Sequence, residues 1–191
     1  MIAICLALVI DISWSVSPEN YRLQTEATAA ALETPQVAHA AELGLSTAVI
    51  FFADDATVVV PPTRDPRAAA AALRATERPG GASTNVADGV RLGVETVLQQ
   101  DCGRRVVDVS GDGPDNTGPL RRVTEVAQAA ADAEVFINAL PIILDGPNQG
   151  DLETWYRENL TDPTGGFTLP ATWESFPAAI RRKIASEIAL N

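Results

Sequence analysis

One carboxylate and two hydroxyls fall at alternate positions in Asp11-Ile12-Ser13-Trp14-Ser15, directly after the apolar run Ile2 to Ile10. The stretch reads D-x-S-x-S where a buried strand gives way to a helix. Hard oxygen donors of this kind suit Mg²⁺ or another hard divalent cation such as Mn²⁺ or Ca²⁺. Two further polar stretches carry the same chemistry. Gly80-Gly81-Ala82-Ser83-Thr84 offers hydroxyls after a glycine-rich turn, and Gly111-Asp112-Gly113-Pro114-Asp115-Asn116-Thr117-Gly118 offers a carboxylate after an apolar run. Each stretch leads into a helix, so helix N-termini face a shared crevice.

The elements that must position these residues follow from pattern. Ile2 to Ile10 is nearly all apolar, as expected of a parallel strand covered on both faces. Ser17-Pro18-Glu19 starts a helix with a hydroxyl cap, a proline in the first turn and an acid near the positive end of the dipole. That helix runs to about Glu33, and Pro35 argues against continuing it. Leu45 to Ala53 is strand two and Ala56 to Val60 strand three. The two-residue turn Asp54-Asp55 between them requires an antiparallel hairpin, and Pro61-Pro62 closes the strand at a sheet edge. Helices follow over Asp65 to Thr76 and Asn85 to Gln99, the latter with Val86, Val90, Val94 and Val97 on one stripe. Arg104 to Val109 is strand four, Pro119 to Ala133 a helix, and Val135 to Leu140 strand five. A loop to Gly150, a helix over Asp151 to Leu160, a short sixth strand over Gly165 to Leu169 and a helix over Ser175 to Leu190 complete the chain. Alternating strands and helices predict one α/β domain over residues 1–191: a doubly wound, Rossmann-like, mostly parallel six-stranded sheet in order 3-2-1-4-5-6, with strand three antiparallel and helices on both faces. Leu6, Leu8, Ile10, Val49, Phe51, Val107, Val109, Ile137 and Leu140 are its expected core. Ligand sites on such sheets lie outside the carboxyl ends of the strands, where strand order reverses.

Composition narrows the chemistry. The net charge of −11 excludes phosphate backbones and anionic membrane surfaces as partners without a local basic patch. The chain has one lysine, Lys183, and one histidine, His39, whereas most general-base and nucleophile-activation schemes use these residues. His39 reads as an exposed residue of a polar helix-to-strand connection. Met1 to Ile10 lacks the charged start and cleavage site of a signal peptide and is too short to span a bilayer. As written the chain carries no export signal, although the first strand begins so near Met1 that a leader could precede it. The two cysteines, Cys5 and Cys102, form neither a disulfide scaffold nor a zinc site. Aligning strands one and four at Asp11 and Asp112 separates them by roughly 13 Å at about 3.3 Å per residue. That exceeds the roughly 7 Å Cα limit for a bridge, so both are expected as free thiols.

The D-x-S-x-S after strand one, a threonine after a glycine-rich loop and an Asp-Gly after strand four resemble, in order and in strand context, the von Willebrand factor type A domain. The stretches Arg104 to Gly113 and Ile137-Asn138-Ala139-Leu140-Pro141-Ile142 resemble a bacterial subgroup of these domains with no assigned function. The resemblance implies a metal-dependent adhesion site. Ser13 and Ser15 would bind the cation directly, Thr84 directly or through water, and Asp11 and Asp112 mainly through water. Neutral hydroxyls around the ion leave it electrophilic, so an acidic group of a protein or peptide partner completes its coordination. Two departures stand out: Gly111 occupies a position where the family carries a hydroxyl residue, and Ser83 competes with Thr84, which keeps the helix in the expected phase. Trp14, Asp115 and Asn116 are candidates for contact with the partner. Packing under a loop for Trp14, and turn chemistry for the other two, are the alternatives. Taken singly, Ser15 and Ser17 could cap the first helix, Thr84 the next and Asp112 a turn; it is their joint order that points to a site.

The expected function is cation-dependent protein binding without catalysis, nucleic acid or membrane insertion. Its rivals are a Mg²⁺-dependent phosphatase or phosphotransferase with Asp11 as nucleophile, and a structural domain whose metal only stiffens loops. The enzyme reading lacks a second acid two positions on, where Ser13 stands, and a cation near the phosphate. No P-loop or Gly-x-Ser-x-Gly elbow is present. Asp108 falls within strand four; a buried carboxylate needs a partner, and hydrogen bonds from neighbouring backbone or hydroxyls are its expected ones.

Overall fold

The computed structural model describes residues 3–144 and 150–189. Met1, Ile2 and Leu190, at the expected ends of the first strand and last helix, lie outside the described residues, as does the loop at 145–149. Every residue of strand β1 (Ile4–Asp11) is buried. Ile4, Leu6, Leu8 and Ile10 pack on one face and Cys5, Ala7 and Val9 on the other, as the alternation of a strand covered on both sides requires. β2 (Ser46–Phe52) and β4 (Arg104–Gly111) flank β1 in parallel. β5 (Val135–Pro141) extends the sheet in parallel beyond β4, and β3 (Ala56–Thr63) closes the other edge antiparallel to β2.

Helices cover both faces. The chain forms α1 (Pro18–Leu32), α2 (Pro35–Glu42), α3 (Pro66–Ala75), α4 (Val86–Leu98), α5 (Arg121–Asp132), α6 (Gly150–Asn159) and α7 (Phe176–Ala189). The core on one face joins Leu6, Leu8, Val49 and Phe51 to Leu32, Leu73, Phe176 and Ile180 of α1, α3 and α7. The opposite core joins Val9, Ile50, Phe52 and Val107 to Val90, Val123 and Tyr156 of α4, α5 and α6. All nine core residues expected from the sequence are buried. No described helix is long and apolar enough to cross a membrane.

The α/β architecture and the strand sequence are as expected, but the sheet has five strands in order β3-β2-β1-β4-β5 rather than six. The segment read as strand six does run beside β5. It makes only isolated parallel bridges, Ala139 with Thr168 and Ile142 with Ala171. Leu169 and Ala171 donate to the Ala139 and Pro141 carbonyls, but Pro141 has no N–H to return to this segment, and the Asn138 side-chain oxygen takes the Phe167 N–H at 2.9 Å.

Three local expectations are also corrected. α1 stops before Pro35 as expected, but Pro35 also starts a further helix: Thr34 precedes it in extended conformation and proline fills the first turn, placing exposed His39 in α2, not in a loop. β3 continues through Pro61-Pro62 to Thr63, because an edge strand tolerates missing donors and register shifts near Val49 absorb the mismatch. Cys5 and Cys102 are joined in a disulfide, with Cα atoms 5.9 Å apart. β4 pairs Arg105 with Cys5, and before Arg104 the chain turns across the end of β1 instead of running on straight. The N–H groups of Gly103 and Arg104 both donate to the Ala3 carbonyl at 3.1 Å, and this turn brings Cys102 back to Cys5.

Candidate metal centre

β1 and β4 lie side by side and deliver Asp11 and Asp112 to the same sheet edge. Past Asp11 the chain leaves the sheet in a tight turn. The Ser13 N–H donates to Asp11 Oδ1 at 2.8 Å and the Val16 N–H to the Ser13 carbonyl at 3.0 Å. From α1, the buried Gln24 amide donates to the Asp11 carbonyl at 2.7 Å, and Ser17 caps that helix through Asn20 N–H at 3.1 Å. Arg78 fixes the turn from outside: its Nη2 donates to the carbonyls of Ile12 and Ser13 at 2.9 and 2.7 Å.

The glycine-rich loop is anchored separately. Asp54 accepts from the N–H groups of Ala82 and Ser83 and from the Ser83 hydroxyl. Those hydrogen bonds hold the exposed Asp54 carboxyl below its ordinary range. Gly81 is required there, because a Cβ would collide with that of Ala53. With Ser83 turned toward Asp54, it is Thr84 whose hydroxyl reaches the cluster, 3.1 Å from Ser13 Oγ.

The five candidate ligands therefore converge. The Thr84, Ser13 and Ser15 hydroxyls form a chain with 3.1 Å steps, and Ser15 Oγ donates to Asp112 Oδ1. Asp11, Ser13, Thr84 and Asp112 are buried, whereas Ser15 is exposed, so the cluster opens to solvent on the Ser15 side. Asp11 Oδ2 and Asp112 Oδ2 are buried without a hydrogen-bond partner. Burial pushes the Asp11 carboxyl up to about 7 against the hydrogen bonds from Ser13, and the nearby Asp112 charge adds to the rise. Burial also raises Asp112, opposed by the Ser15 hydroxyl and the Arg78 charge. Two carboxylates held together with no cationic group hydrogen-bonded to either, and with hydroxyls turned toward them, match an oxygen-only site for a hard cation. Among the described residues no group of three or more His, Cys, Asp or Glu side chains is arranged to hold a metal; in this cluster hydroxyls make up the balance.

The departure at Gly111 has a physical reason that sequence reading missed. A Cβ at 111 would lie 2.6 Å from Tyr156 Oη and 2.9 Å from Asp11 Oδ2. Tyr156, on α6, is fully buried and donates its hydroxyl to the Gly113 carbonyl at 3.1 Å. Burial, with the charges of Asp11, Asp112 and Asp115, raises its phenol well above the ordinary value. The Tyr156 hydroxyl thus fills the space that a side chain at position 111 would need. Arg78 was missed too; its only sequence signal was its place at the head of the glycine-rich loop.

The three residues considered for partner contact differ in setting. Trp14 is 81% exposed. Asp115 accepts from the N–H groups of Ala87 and Thr117, both at 3.0 Å. Asn116 bridges two ligand loops, its side chain accepting from Thr84 N–H at 2.9 Å and its own N–H donating to the Thr84 carbonyl at 3.0 Å. Asp108 has an ionic partner, in place of the expected backbone or hydroxyl donors: the fully buried Lys183.

A parallel core with one antiparallel edge, two-sided helices and this cluster at the carboxyl edge of β1 and β4 define a von Willebrand factor type A-like domain. The structure is similar to that of proximal thread matrix protein 1 from the mussel byssus, solved with a zinc-occupied MIDAS motif: TM-score 0.74, 18% identity, 97% of this chain and 46% of that one. It is also similar to the conserved hypothetical protein BatB from Bacteroides thetaiotaomicron (TM-score 0.67, 19% identity, 99% and 100% coverage). A third similar structure is the vWF domain of the type V pili tip protein Mfa5 from Porphyromonas gingivalis (TM-score 0.67, 11% identity, 99% and 96% coverage). The chain spans about half the length of the mussel protein. No curated protein matches it in sequence. The chain belongs to the family described as Protein of unknown function (DUF1194), whose model matches residues 1–191.

Proposed function

We propose that residues 1–191 form one divalent-cation-dependent protein-binding module of the adhesion type. The observation that carries this reading is the pair of unpartnered buried oxygens, Asp11 Oδ2 and Asp112 Oδ2, beside three linked hydroxyls that open to solvent at Ser15. Ser13, Ser15 and Thr84, with Asp11 and Asp112 acting mainly through water, would hold Mg²⁺, or Mn²⁺ or Ca²⁺. The bound ion supplies an electrophilic position for a carboxylate of a protein or peptide partner. The similarity to a structure with a zinc-occupied MIDAS supports a divalent ion at this place in the fold. The module is not an enzyme in this reading. Asp11 is fully buried and braced by Ser13, so it is withheld as a nucleophile, and the lone lysine is sequestered against Asp108. Nucleic acid and membrane are not its partners.

Thermal melts across a Mg²⁺ and Mn²⁺ series test the site. At about a hundredfold excess over the dissociation constant the cation stabilises by about 2.7 kcal/mol, a rise on the order of 5–10 °C for a domain of this size. Ser13→Ala removes a direct ligand and loses most of that rise. Asp112→Ala abolishes it, while relieving repulsion with Asp11 in the cation-free protein. An unchanged wild-type melt at millimolar cation, or an equal shift in Ser13→Ala, would leave these residues as helix caps. Pull-down of acidic peptides with and without EDTA then separates a binding site from a purely structural ion.

A further inference from the structure

The most exposed large apolar side chain among the described residues is Trp14, and it stands between the two serines of the cluster. Its exposure is not that of a loose loop. The turn beneath it is held by the Asp11–Ser13 and Ser13–Val16 hydrogen bonds and by the two Arg78 contacts. A rigid turn that presents an indole to water forgoes burial that a side chain of this size ordinarily gains. Aromatic anchors of this kind concentrate at the centres of protein interfaces.

A groove of about 420 Å³ runs beside the indole. Val16, Pro18 and Pro79 give it apolar walls, and Arg78 lines it with positive charge. Arg78 uses Nη2 for the turn, while its Nε and Nη1 make no hydrogen bond among the described residues. The groove adjoins the candidate cation site through Trp14, which stands between the two serines, and through Arg78, whose guanidinium touches the Ser13 carbonyl and lies near enough to draw the Asp112 carboxyl downward. On a chain of net charge −11, an acidic segment is repelled at long range. Local contacts must therefore select it, and Arg78 gives this groove charge complementarity to an acidic segment.

We propose that this groove is a second recognition pocket for the same partner: an apolar side chain next in sequence to the metal-bound acid packs against Trp14, Pro18 and Pro79, while Arg78 receives an oxygen acceptor of that segment. The pocket rests on the cation-dependent reading of the preceding section and narrows the partner to an acidic residue with an apolar neighbour.

The test uses capped peptides with a central aspartate flanked by glycines, and versions with Leu or Phe on either side of it. Each is titrated into the full chain in Mg²⁺ and followed through the Trp14 indole N–H resonance, with affinities repeated by calorimetry for variants. At one of the two flanking positions Leu or Phe tightens binding about fivefold over glycine, the gain expected from partial burial of such a side chain. Trp14→Ala brings that ratio to about one, and Arg78→Gln weakens the Leu and Phe peptides more than the glycine parent. Equal affinity of all peptides for the wild type, a ratio preserved in Trp14→Ala, or no binding at millimolar peptide overturns the pocket. A Trp14-dependent preference that persists in EDTA supports the pocket and overturns the cation reading, so the two failures are distinct.

Discussion

Two buried acid clusters sit on the same strand system, and they are completed in opposite ways. Inside β4, Asp108 meets Lys183 of α7. Lys183 also contacts Glu187 at 3.0 Å, and Glu187 in turn accepts from Asn138 at 3.0 Å. All four side chains are buried. Just past the end of β4, Asp112 meets Asp11 among hydroxyls, with no cation among its hydrogen-bond partners. The fold spends its only lysine on the inner cluster, which is sealed. The outer cluster has two acids, no cationic group hydrogen-bonded to either, only the Arg78 charge nearby, and is the one that reaches solvent. The protein closes the inner acid with its own cation, and under the proposed reading the outer pair takes a cation from outside.

Breaking the inner pair has the largest expected effect. Lys183→Met leaves Asp108 as an uncompensated buried charge and costs about 3–5 kcal/mol in urea denaturation. Adding Asp108→Asn recovers part of that loss, since no charge then remains unpaired. A Lys183→Met protein as stable as wild type would remove the contrast between the clusters.

Titration sharpens the contrast. Burial and the Asp108 charge raise Glu187 from an ordinary 4.5 to about 8, against the pull of Lys183 and Asn138. The folded chain then holds a proton that the unfolded chain has released. The stability from this group is complete below about 4.5, falls as pH rises, and is lost above about 8. The slope is at most about 1.4 kcal/mol per pH unit, and coupling within the cluster spreads it over the window. Denaturation of wild type and Glu187→Gln from pH 4 to 9 measures it as a difference, in which the Asp11 contribution common to both proteins cancels. Glu187→Gln flattens this part of the profile; an unchanged slope would place the titration elsewhere.

The smallest effect concerns the outer cluster. Gly111→Ser drives a side chain toward Tyr156 Oη and Asp11 Oδ2, and costs between about 1 and 2 kcal/mol. Tyr156→Phe alone costs about 1 kcal/mol, the value of its bond to Gly113. The double variant recovers part of the Gly111→Ser loss, because removing Tyr156 Oη opens the space while the contact with Asp11 remains. Strictly additive losses would show that the two positions do not compete for this space.

What could be read from sequence was what local chemistry encodes. The apolar β1, the helix start at Ser17-Pro18 and the Asp54-Asp55 hairpin depend on neighbours in the chain. So does the order of the three polar loops. What escaped depends on distant contacts. Tyr156 reaches Gly113 from α6, and Lys183 reaches Asp108 across 75 positions of sequence. Asp115 and Asn116 carry turn residues' ordinary signature, yet their side chains accept hydrogen bonds from Ala87 in the first turn of α4 and from Thr84 in the loop before it. The helix that Pro35 starts was missed for another reason: a proline that follows the end of one helix serves equally to start the next, and the extended Thr34 marks that second role. The sixth strand failed for want of a donor on its neighbour, since Pro141 of β5 has no N–H to offer it.

The disulfide gives the chain a topology as well as a brace. Its two cysteines are 97 positions apart, so the polypeptide is a lasso: a closed covalent ring with a long open tail. Asp11, Ser13, Ser15 and Thr84 lie on the ring, and Asp112 lies on the tail. When the protein unfolds, four of the five candidate ligands stay on one ring, whose dimensions are smaller than those of the open chain. The fifth is tethered ten positions from the knot at Cys102, so the unfolded ensemble never disperses the site as widely as a linear chain would.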